Sequence, residues 1–427
     1  MKLGRPAIWM VAACFAGVAL GFGAPAMSRG HRAFARGAAV CAEPDVTARR
    51  DPANPLALPT KPSSGDPLQG THFFVDGPRN GQAASTIVKL LGLNLQQFYD
   101  SDSWAQFKAD HLRAINSNPT AHQLSKIADQ EETQSTSQYS EGGGPGAITA
   151  QTSKIMCDHM RADRARITVP VISTFFIFPH GQLCPTLDQI QRWQPTFKRY
   201  VNEMATAIGR KRAVILEEID SIGISGCLHA QSLDLWLSDL AYESNRLSKL
   251  PHAVTYAEAG ASDTGDPLVI AKRLWKAGVS QVQGFWTNGT HFAWSSDEIR
   301  WAQDVSDNLY SLSHRRYRAH FVVNTAQNGE GPKLNPHPGQ QGAEDTCNAP
   351  GRGMGRQPTG NVNPTFDART FRYLDAFLWT GVPGRSNNSN CPNGPWKPGG
   401  VFDPRFALEL AENANQKLGP GYPSQPY

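Results

Sequence analysis

The stretch AVILEEIDSIG (213–223) sets Glu217, Glu218 and Asp220 behind a short apolar run. Burying charge is costly unless the charge is paired. Acids at a strand end therefore read in two ways. They form a capped or salt-bridged pair at a loop mouth, or they are the seat of general acid–base chemistry. Alternation along a strand puts Glu218 and Asp220 on one face and Glu217 on the other. Other strand ends carry polar groups too: Glu258 ends HAVTYAE, Asn288 follows Trp286 in GFWTNGT, and Asn324 ends HFVVN. Phe176, Phe178, Trp286, Trp294, Trp379 and Trp396 are close by. A sugar ring needs aromatic faces for its C–H surfaces and directed partners for its hydroxyls. Ordinary barrel packing is the other use of each tryptophan. No GxxxxGK[ST] phosphate loop occurs, and neither a CxxC pair nor paired histidine spacing suggests a metal. No cofactor is expected.

These residues need elements to hold them. THFFVD (71–76), ITVPVISTFFIF (167–178), AVILEEI (213–219), HAVTYAEA (252–259), VSQVQGFW (279–286), AHFVVNT (319–325) and YLDAFLWT (373–380) read as strands. Helical periodicity falls at 95–116, 187–209, 231–248, 266–277, 296–312 and 402–416. Residues 133–150 read as a polar, glycine-rich loop, and 326–364 is long enough to carry function. Strands alternating with helices in one unbroken series predict an α/β fold with a seven-stranded parallel (β/α) barrel resembling a TIM barrel. In such barrels functional groups sit at the C-terminal ends of the strands.

The chain has 427 residues, 41 basic and 37 acidic, for a formal net charge of +4. That balance, without a concentrated basic patch, argues against a nucleic-acid partner. Lys2 and Arg5, an apolar run and Ala24-Pro25-Ala26 predict a signal peptide over 1–26, hence a secreted, extracellular protein with no membrane contact after its removal. Residues 27–66 read as a Pro/Ala/Arg-rich, disordered lead-in, 67–420 as the folded domain and 421–427 as a tail, in a monomer. In an oxidising compartment Cys157, Cys184, Cys227, Cys347 and Cys391 default to disulfides. Cys157 is the odd one unless it finds Cys41.

The segments HFFVD, VILEEIDSI, YAEAG, GFWTN, HFVVNTAQNGEG, TCNAPGRGMG, YLDAFLW, CPNGPW and FALELAENA occur in one order. Over roughly residues 70–418 they resemble the family 6 glycoside hydrolases, which are inverting β-1,4-glucanases on a distorted seven-stranded barrel. HFVVNTAQNGEG and CNAPGRGMG are the most specific pieces. The resemblance implies a polysaccharide or oligosaccharide substrate. It aligns the family's Glu-Pro-Asp-Ser with Glu218-Ile219-Asp220-Ser221, which makes Asp220 the general acid with Glu218 assisting. It implies Glu258 as a further catalytic carboxylate. It also implies substrate contacts from Trp286, Asn288, Asn324, Asn348, Arg352, Trp379 and Asn387, and disulfides Cys184–Cys227 and Cys347–Cys391.

Several positions depart from the family pattern. Phe176 stands where the family has Tyr, and Leu183 falls where it has an assisting Asp. Asn387 falls at the presumed base, with Arg385 and Gly381 at its neighbours. Thr346 replaces a Trp, and AGASDTGDP lacks the usual His and Trp. Two functions are consistent with this: an active hydrolase whose water is activated through a chain or by a carboxylate such as Glu258, or a catalytically impaired glycan-binding homologue.

Overall fold

The β-branched and aromatic runs form strands, and the amphipathic runs between them form helices. The computed structural model describes residues 65–75, 81–101, 103–131, 133–137, 144–163, 168–332, 350–362, 371–386, 396–397 and 400–423. The chain begins with β1 (His72–Phe73), α1 (Gln82–Leu90), α2 (Leu95–Asp100), α3 (Trp104–Ser117), α4 (Pro119–Ala128), β2 (Gln134–Ser137) and α5 (Ala147–Ala162). Next come β3 (Thr168–Val169), β4 (Val171–Phe175), α6 (Leu187–Ile208), β5 (Ala213–Leu216), α7 (Ala230–Leu247), β6 (Ala253–Glu258) and α8 (Pro267–Lys276). The order ends with β7 (Gly284–Thr287), α9 (Ser295–Leu312), β8 (His320–Asn324), β9 (Leu374–Leu378) and α10 (Pro404–Glu412).

Seven strands form one sheet in the order β2-β4-β5-β6-β7-β8-β9, and every neighbouring pair is parallel. The register sets Leu216 beside Tyr256, Glu258 beside Trp286 and Asn324 beside Leu378. Strand alternation then sorts the side chains into two layers. Val171, Val214, Leu216, Val254, Tyr256, Trp286, Val322 and Ala376 pack inside the curl. Ile172, Ile215, Phe285, Phe321, Val323 and Phe377 face outward onto Tyr200, Met204, Trp236, Leu240, Ile299 and Leu309 of the helices. Both layers are buried, so the strands read as unbroken apolar runs.

The barrel is distorted because β2 and β9 do not pair. One backbone bond, from Thr133 N–H to the Trp379 carbonyl at 3.1 Å, reaches across between their ends. On that side Trp379, Ala326 and Met354 join a second apolar cluster with Phe98, Trp104, Phe107, Ile127, Phe406 and Leu410 of the flanking helices.

Four expectations about the elements are corrected. THFFVD supplies only the two-residue β1, which pairs with β3 outside the main sheet. The seventh strand is β2, inside the stretch read as a polar loop. Pro170 divides the expected strand at 167–178, since proline cannot donate to the ladder. The helical run 95–116 breaks between α2 and α3, where the Ser103 hydroxyl caps the new start by accepting from the Gln106 N–H.

Cysteine pairing follows the expectation in part. Cys184–Cys227 is a disulfide that ties the loop after β4 to the loop after β5. Cys157 is also disulfide-bonded, so it is not left over. Cys347–Cys391, Asn348, Asn387 and the region 1–64 lie outside the described residues. Among the described residues no helix is long and apolar enough to cross a membrane.

The family-like segments at 326–332 and 350–356 pack against each other rather than forming an open loop. Gly329 N–H donates to the Gly353 carbonyl at 2.9 Å. A Cβ on Gly353 would sit 2.1 Å from the Asn413 carbonyl oxygen, so only glycine permits this approach to the end of α10.

Candidate active site

β5 stops at Leu216, two residues before the acids would alternate. Glu218 has φ 39° and Asp220 φ 67°, so the backbone turns sharply at both. Strand alternation does not extend to them, and the expectation that they share a strand face is corrected. Asn288, past β7, has φ 67°, and His180, past β4, has φ 49°. Non-glycine residues rarely take this conformation, and such strain gathers at functional sites. Among the described residues, four of the six positive-φ non-glycine residues lie on loops after β4, β5 and β7, at one end of the barrel. This clustering marks the C-terminal mouth independently of any family pattern.

Glu217 points away from the barrel interior. Its carboxylate accepts from the Ser244 hydroxyl of α7 at 2.8 Å, and its carbonyl accepts from Trp286 Nε1 at 2.9 Å. Burial, with the Glu218 charge adding, raises its pKa to about 8. Glu243 of α7 is buried behind it, accepts from the Thr174 hydroxyl and is pushed well up by burial and by Glu218 and Glu217. Three interacting acids share this pocket, so they hold fewer than three charges at neutral pH.

Glu218 is fully buried and turned to the end of β4. It accepts from the Phe176 N–H at 2.9 Å and the Ile177 N–H at 3.0 Å. Burial raises it to about 7, opposed by those two N–H groups. Glu258 is used in the same manner. It accepts from Ile222 N–H at 2.6 Å, Gly223 N–H at 3.1 Å and Gly260 N–H, and from the Ser221 hydroxyl at 3.5 Å. Burial and then the charge of Asp220 raise it to about 7. Both carboxylates fasten the loops around Asp220.

Asp220 is different. As a residue it is only partly buried, and among the described residues its carboxyl accepts one hydrogen bond, from the Thr290 hydroxyl at 3.0 Å. Burial raises its pKa, while the Thr290 bond and the charge of His291 lower it. His291 Nδ1 lies 2.9 Å from one oxygen of Asp263 and 3.1 Å from the other. The loop carrying Asp263 is anchored to α9, where fully buried Glu298 accepts from the Ser262 N–H at 2.7 Å and from the Thr287 hydroxyl. The mouth therefore presents the carboxyl of a half-buried aspartate, a hydroxyl that orients it, and a His–Asp pair. The carboxyl of this set can donate a proton.

The amides and aromatics expected at the substrate are mostly inside. Asn324 donates to the Asn288 carbonyl at 2.7 Å and accepts from Ala326 and Thr380 N–H groups, while Asn288 donates to the Asn324 carbonyl at 3.0 Å. They stitch the loops after β7, β8 and β9 together. Trp286 and Trp379 are fully buried packing residues, and Trp379 Nε1 donates to the Arg356 carbonyl. Arg352 is fully buried too, with its guanidinium 3.7 Å from the Phe292 ring centre and donating to the Gly331 carbonyl. None of these five side chains reaches the surface of the mouth, because burial in the barrel wall already occupies them. Thr290, His291, Asp263, Glu298, Thr174 and Glu243 were not singled out from the sequence. For Thr290 and His291 the available signal was their place just past a strand, in GFWTNGTHF.

Comparison with known proteins places the chain in a family. The chain is 26% identical over 294 residues to Endoglucanase 1 of Streptomyces sp. (strain KSM-9), which covers 68% of this chain and 74% of that protein. It is 28% identical over 214 residues to Endoglucanase 1 of Streptomyces halstedii, spanning 59% of that relative's length. Its fold matches the endoglucanase Cel6 from Mycobacterium tuberculosis, solved with methyl-cellobiosyl-4-deoxy-4-thio-β-D-cellobioside, at a TM-score of 0.60 and 22% identity, covering 82% of this chain and 99% of that one. Endoglucanase CEL6B from Humicola insolens gives a TM-score of 0.60 at 16% identity, covering 83% and 100%. Residues 187–414, more than half of the chain, match the family described as Glycosyl hydrolases family 6, and the chain belongs to that family.

Proposed function

We propose that this protein is a secreted, inverting β-1,4-glucanase in which Asp220 is the general acid. The carrying observation is the setting of Asp220: a half-buried residue at a positive φ, its carboxyl oriented by Thr290 and raised in pKa by burial. A general acid must hold its proton at working pH and release it to the leaving oxygen in the transition state. Burial favours the first requirement. The endoglucanase names of the relatives support cleavage within the glucan chain. The leader-like N-terminus supports export.

Asp220→Ala tests the assignment. Release of reducing ends from soluble β-1,4-glucan is expected to fall about 10²–10⁴-fold. Equal activity in the variant removes Asp220 from the role. Proton NMR of the first product reads the stereochemistry: an α-anomer is expected, and a β-anomer contradicts inversion. A glycan-binding homologue is the second reading, favoured by the use of Glu218 and Glu258 as backbone clasps. It prevails if the wild type binds cello-oligosaccharide and releases no reducing ends.

A further inference from the structure

A strand inside a parallel sheet gives its N–H groups alternately to its two neighbours, so each ladder repeats every second residue. On β5 the Val214 N–H donates to the Pro170 carbonyl, just before β4, at 2.9 Å, and the Glu217 N–H donates to the Tyr256 carbonyl of β6 at 2.9 Å. Carried on from Val214 and Pro170, the same ladder would give the Glu218 N–H to the Thr174 carbonyl. Instead the Thr174 hydroxyl takes the Glu218 N–H at 2.8 Å, and the freed carbonyl takes the next N–H, that of Ile219, at 3.4 Å. The pairing with β4 slips by one residue at this step. The backbone takes a positive φ at Glu218 and again at Asp220. A slip of one residue reverses the side-chain directions that follow it.

We propose that Thr174, oriented by Glu243, is the positioning residue that turns Asp220 out of the β5 ladder and toward Thr290 at the mouth. The inference rests on the reading of Asp220 as the acid. A threonine hydroxyl has one proton, and an amide N–H can only donate. With a lone pair on the Glu218 N–H, the Thr174 proton goes to Glu243 Oε1, 2.9 Å away. Glu243 thereby fixes the rotation of the hydroxyl. Trp236, on the same face of α7, donates from Nε1 to the Ser221 carbonyl at 3.0 Å, and Ser244 bonds the Glu217 carboxyl. In return the Glu218 carboxylate takes the Phe176 and Ile177 N–H groups, just past Thr174. β4 and α7 thus bracket the turn on both sides of Asp220.

Packing alone does not call for a polar pair at this place. Thr174 has the parity of Ile172, so it lies in the apolar layer under the helices. Glu243 is fully buried on the α7 face that carries Trp236, Leu237, Leu240 and Leu247. Its second oxygen, Oε2, has no hydrogen-bond partner among the described residues. A buried acid with a bond unmade lowers stability, and an apolar side chain of similar shape is neutral or better there. The strained φ values need surroundings that over-determine them, and the Thr174 hydroxyl supplies the bond that departs from the ladder. Thr174→Val leaves the carbonyl of that residue as the acceptor for the Glu218 N–H. The ladder then runs on by simple alternation, and Asp220 loses its aim.

The test uses the full chain with two substrates: soluble β-1,4-glucan, whose leaving group needs a proton, and 2,4-dinitrophenyl β-cellobioside, whose leaving group needs none. Thr174→Val is expected to lower kcat on the glucan about 10- to 100-fold at unchanged KM, and to stay within about threefold of wild type on the dinitrophenyl substrate. Thr174→Ser keeps the hydroxyl and is expected to recover glucan turnover to within about threefold of wild type. Glu243→Met is expected to lower kcat on the glucan about tenfold with a urea midpoint no lower than that of wild type. A Thr174→Val enzyme with unchanged kcat on the glucan overturns the proposal. So does an equal loss on both substrates, or a serine variant no better than the valine one, since the residue then serves the fold alone. Should Thr174→Val not fold, Glu243→Met carries the test, and its unchanged kcat on the glucan overturns the proposal. A wild type that hydrolyses neither substrate removes the glucanase reading and the positioning role with it. An Asp220→Ala enzyme that loses glucan turnover, beside a Thr174→Val enzyme that keeps it, removes the positioning role alone.

Discussion

Among the described residues Thr290 donates the one hydrogen bond that the Asp220 carboxyl receives, so removing it tests how far orientation matters. Thr290→Val keeps the shape and deletes the donor. A hydrogen bond to a charged group contributes about 1.5–3 kcal/mol, so kcat is expected to fall roughly 10- to 100-fold. The same bond lowers the Asp220 pKa, so its loss moves that pKa further up. Asp220 then keeps its proton to higher pH, and the alkaline limb of the kcat/KM profile shifts upward. A profile that stays in place would mean that the alkaline limb does not report Asp220. At this scale the sequence was legible in kind but not in aim. The acids of AVILEEIDSIG were visible as a cluster, but Glu218 and Asp220 turn at positive φ, where the two-residue period carries no information. His291 and Asp263 are 28 residues apart and meet only through the neighbouring ends of β6 and β7.

Strands and helices are held in place by the loops at their ends as much as by their own residues. The Cys184–Cys227 bridge fastens the loops after β4 and β5, and Thr186 then starts α6 with a reciprocal cap to Gln189. The bridge spans a sequence separation of 43, for which the loss of chain entropy in the unfolded state corresponds to about 4 kcal/mol. Cys184→Ser with Cys227→Ser is expected to lower the unfolding free energy by that order in non-reducing urea titrations. Activity should fall with it, because the same loops carry Phe176, Ile177 and Asp220. A double variant with an unchanged urea midpoint would show that the bridge restrains nothing. β5, β6, β8 and β9 were legible because both faces are buried, which leaves runs of Val, Ile, Leu, Ala and Phe. β2 was not, because QSTS sits at a sheet edge and buries only Thr136 fully. THFFVD has the composition of a barrel strand, but its partner is β3 rather than the sheet.

At the scale of the whole molecule, the barrel stores acids at both ends. At the mouth end, burial raises Glu217 to about 8 and Glu218, Glu258 and Glu298 each to about 7. At the other end Asp66 is raised to about 8 by burial and by Asp375, which also takes His320, Tyr256 and Gln283 as partners. Keeping a fold-closing network there while placing chemistry at the mouth matches the division of labour of parallel barrels. The sign of the pH effect follows from linkage. Each of these acids ionises near pH 4 when unfolded and near pH 7 or 8 when folded, so between those values the folded state binds more protons. Stability from this source is fully present below the unfolded values and is lost as pH rises through the folded ones. The melting temperature is therefore expected to be higher at pH 5 than at pH 8, by calorimetry at constant ionic strength. Asp66→Asn and Glu243→Gln each remove one titrating group from its cluster, and each should flatten that slope. Asp66 is remote from Asp220, so Asp66→Asn should do so with kcat unchanged. A slope that is flat or reversed in the wild type would mean that the buried acids titrate in the folded protein as they do in the unfolded chain.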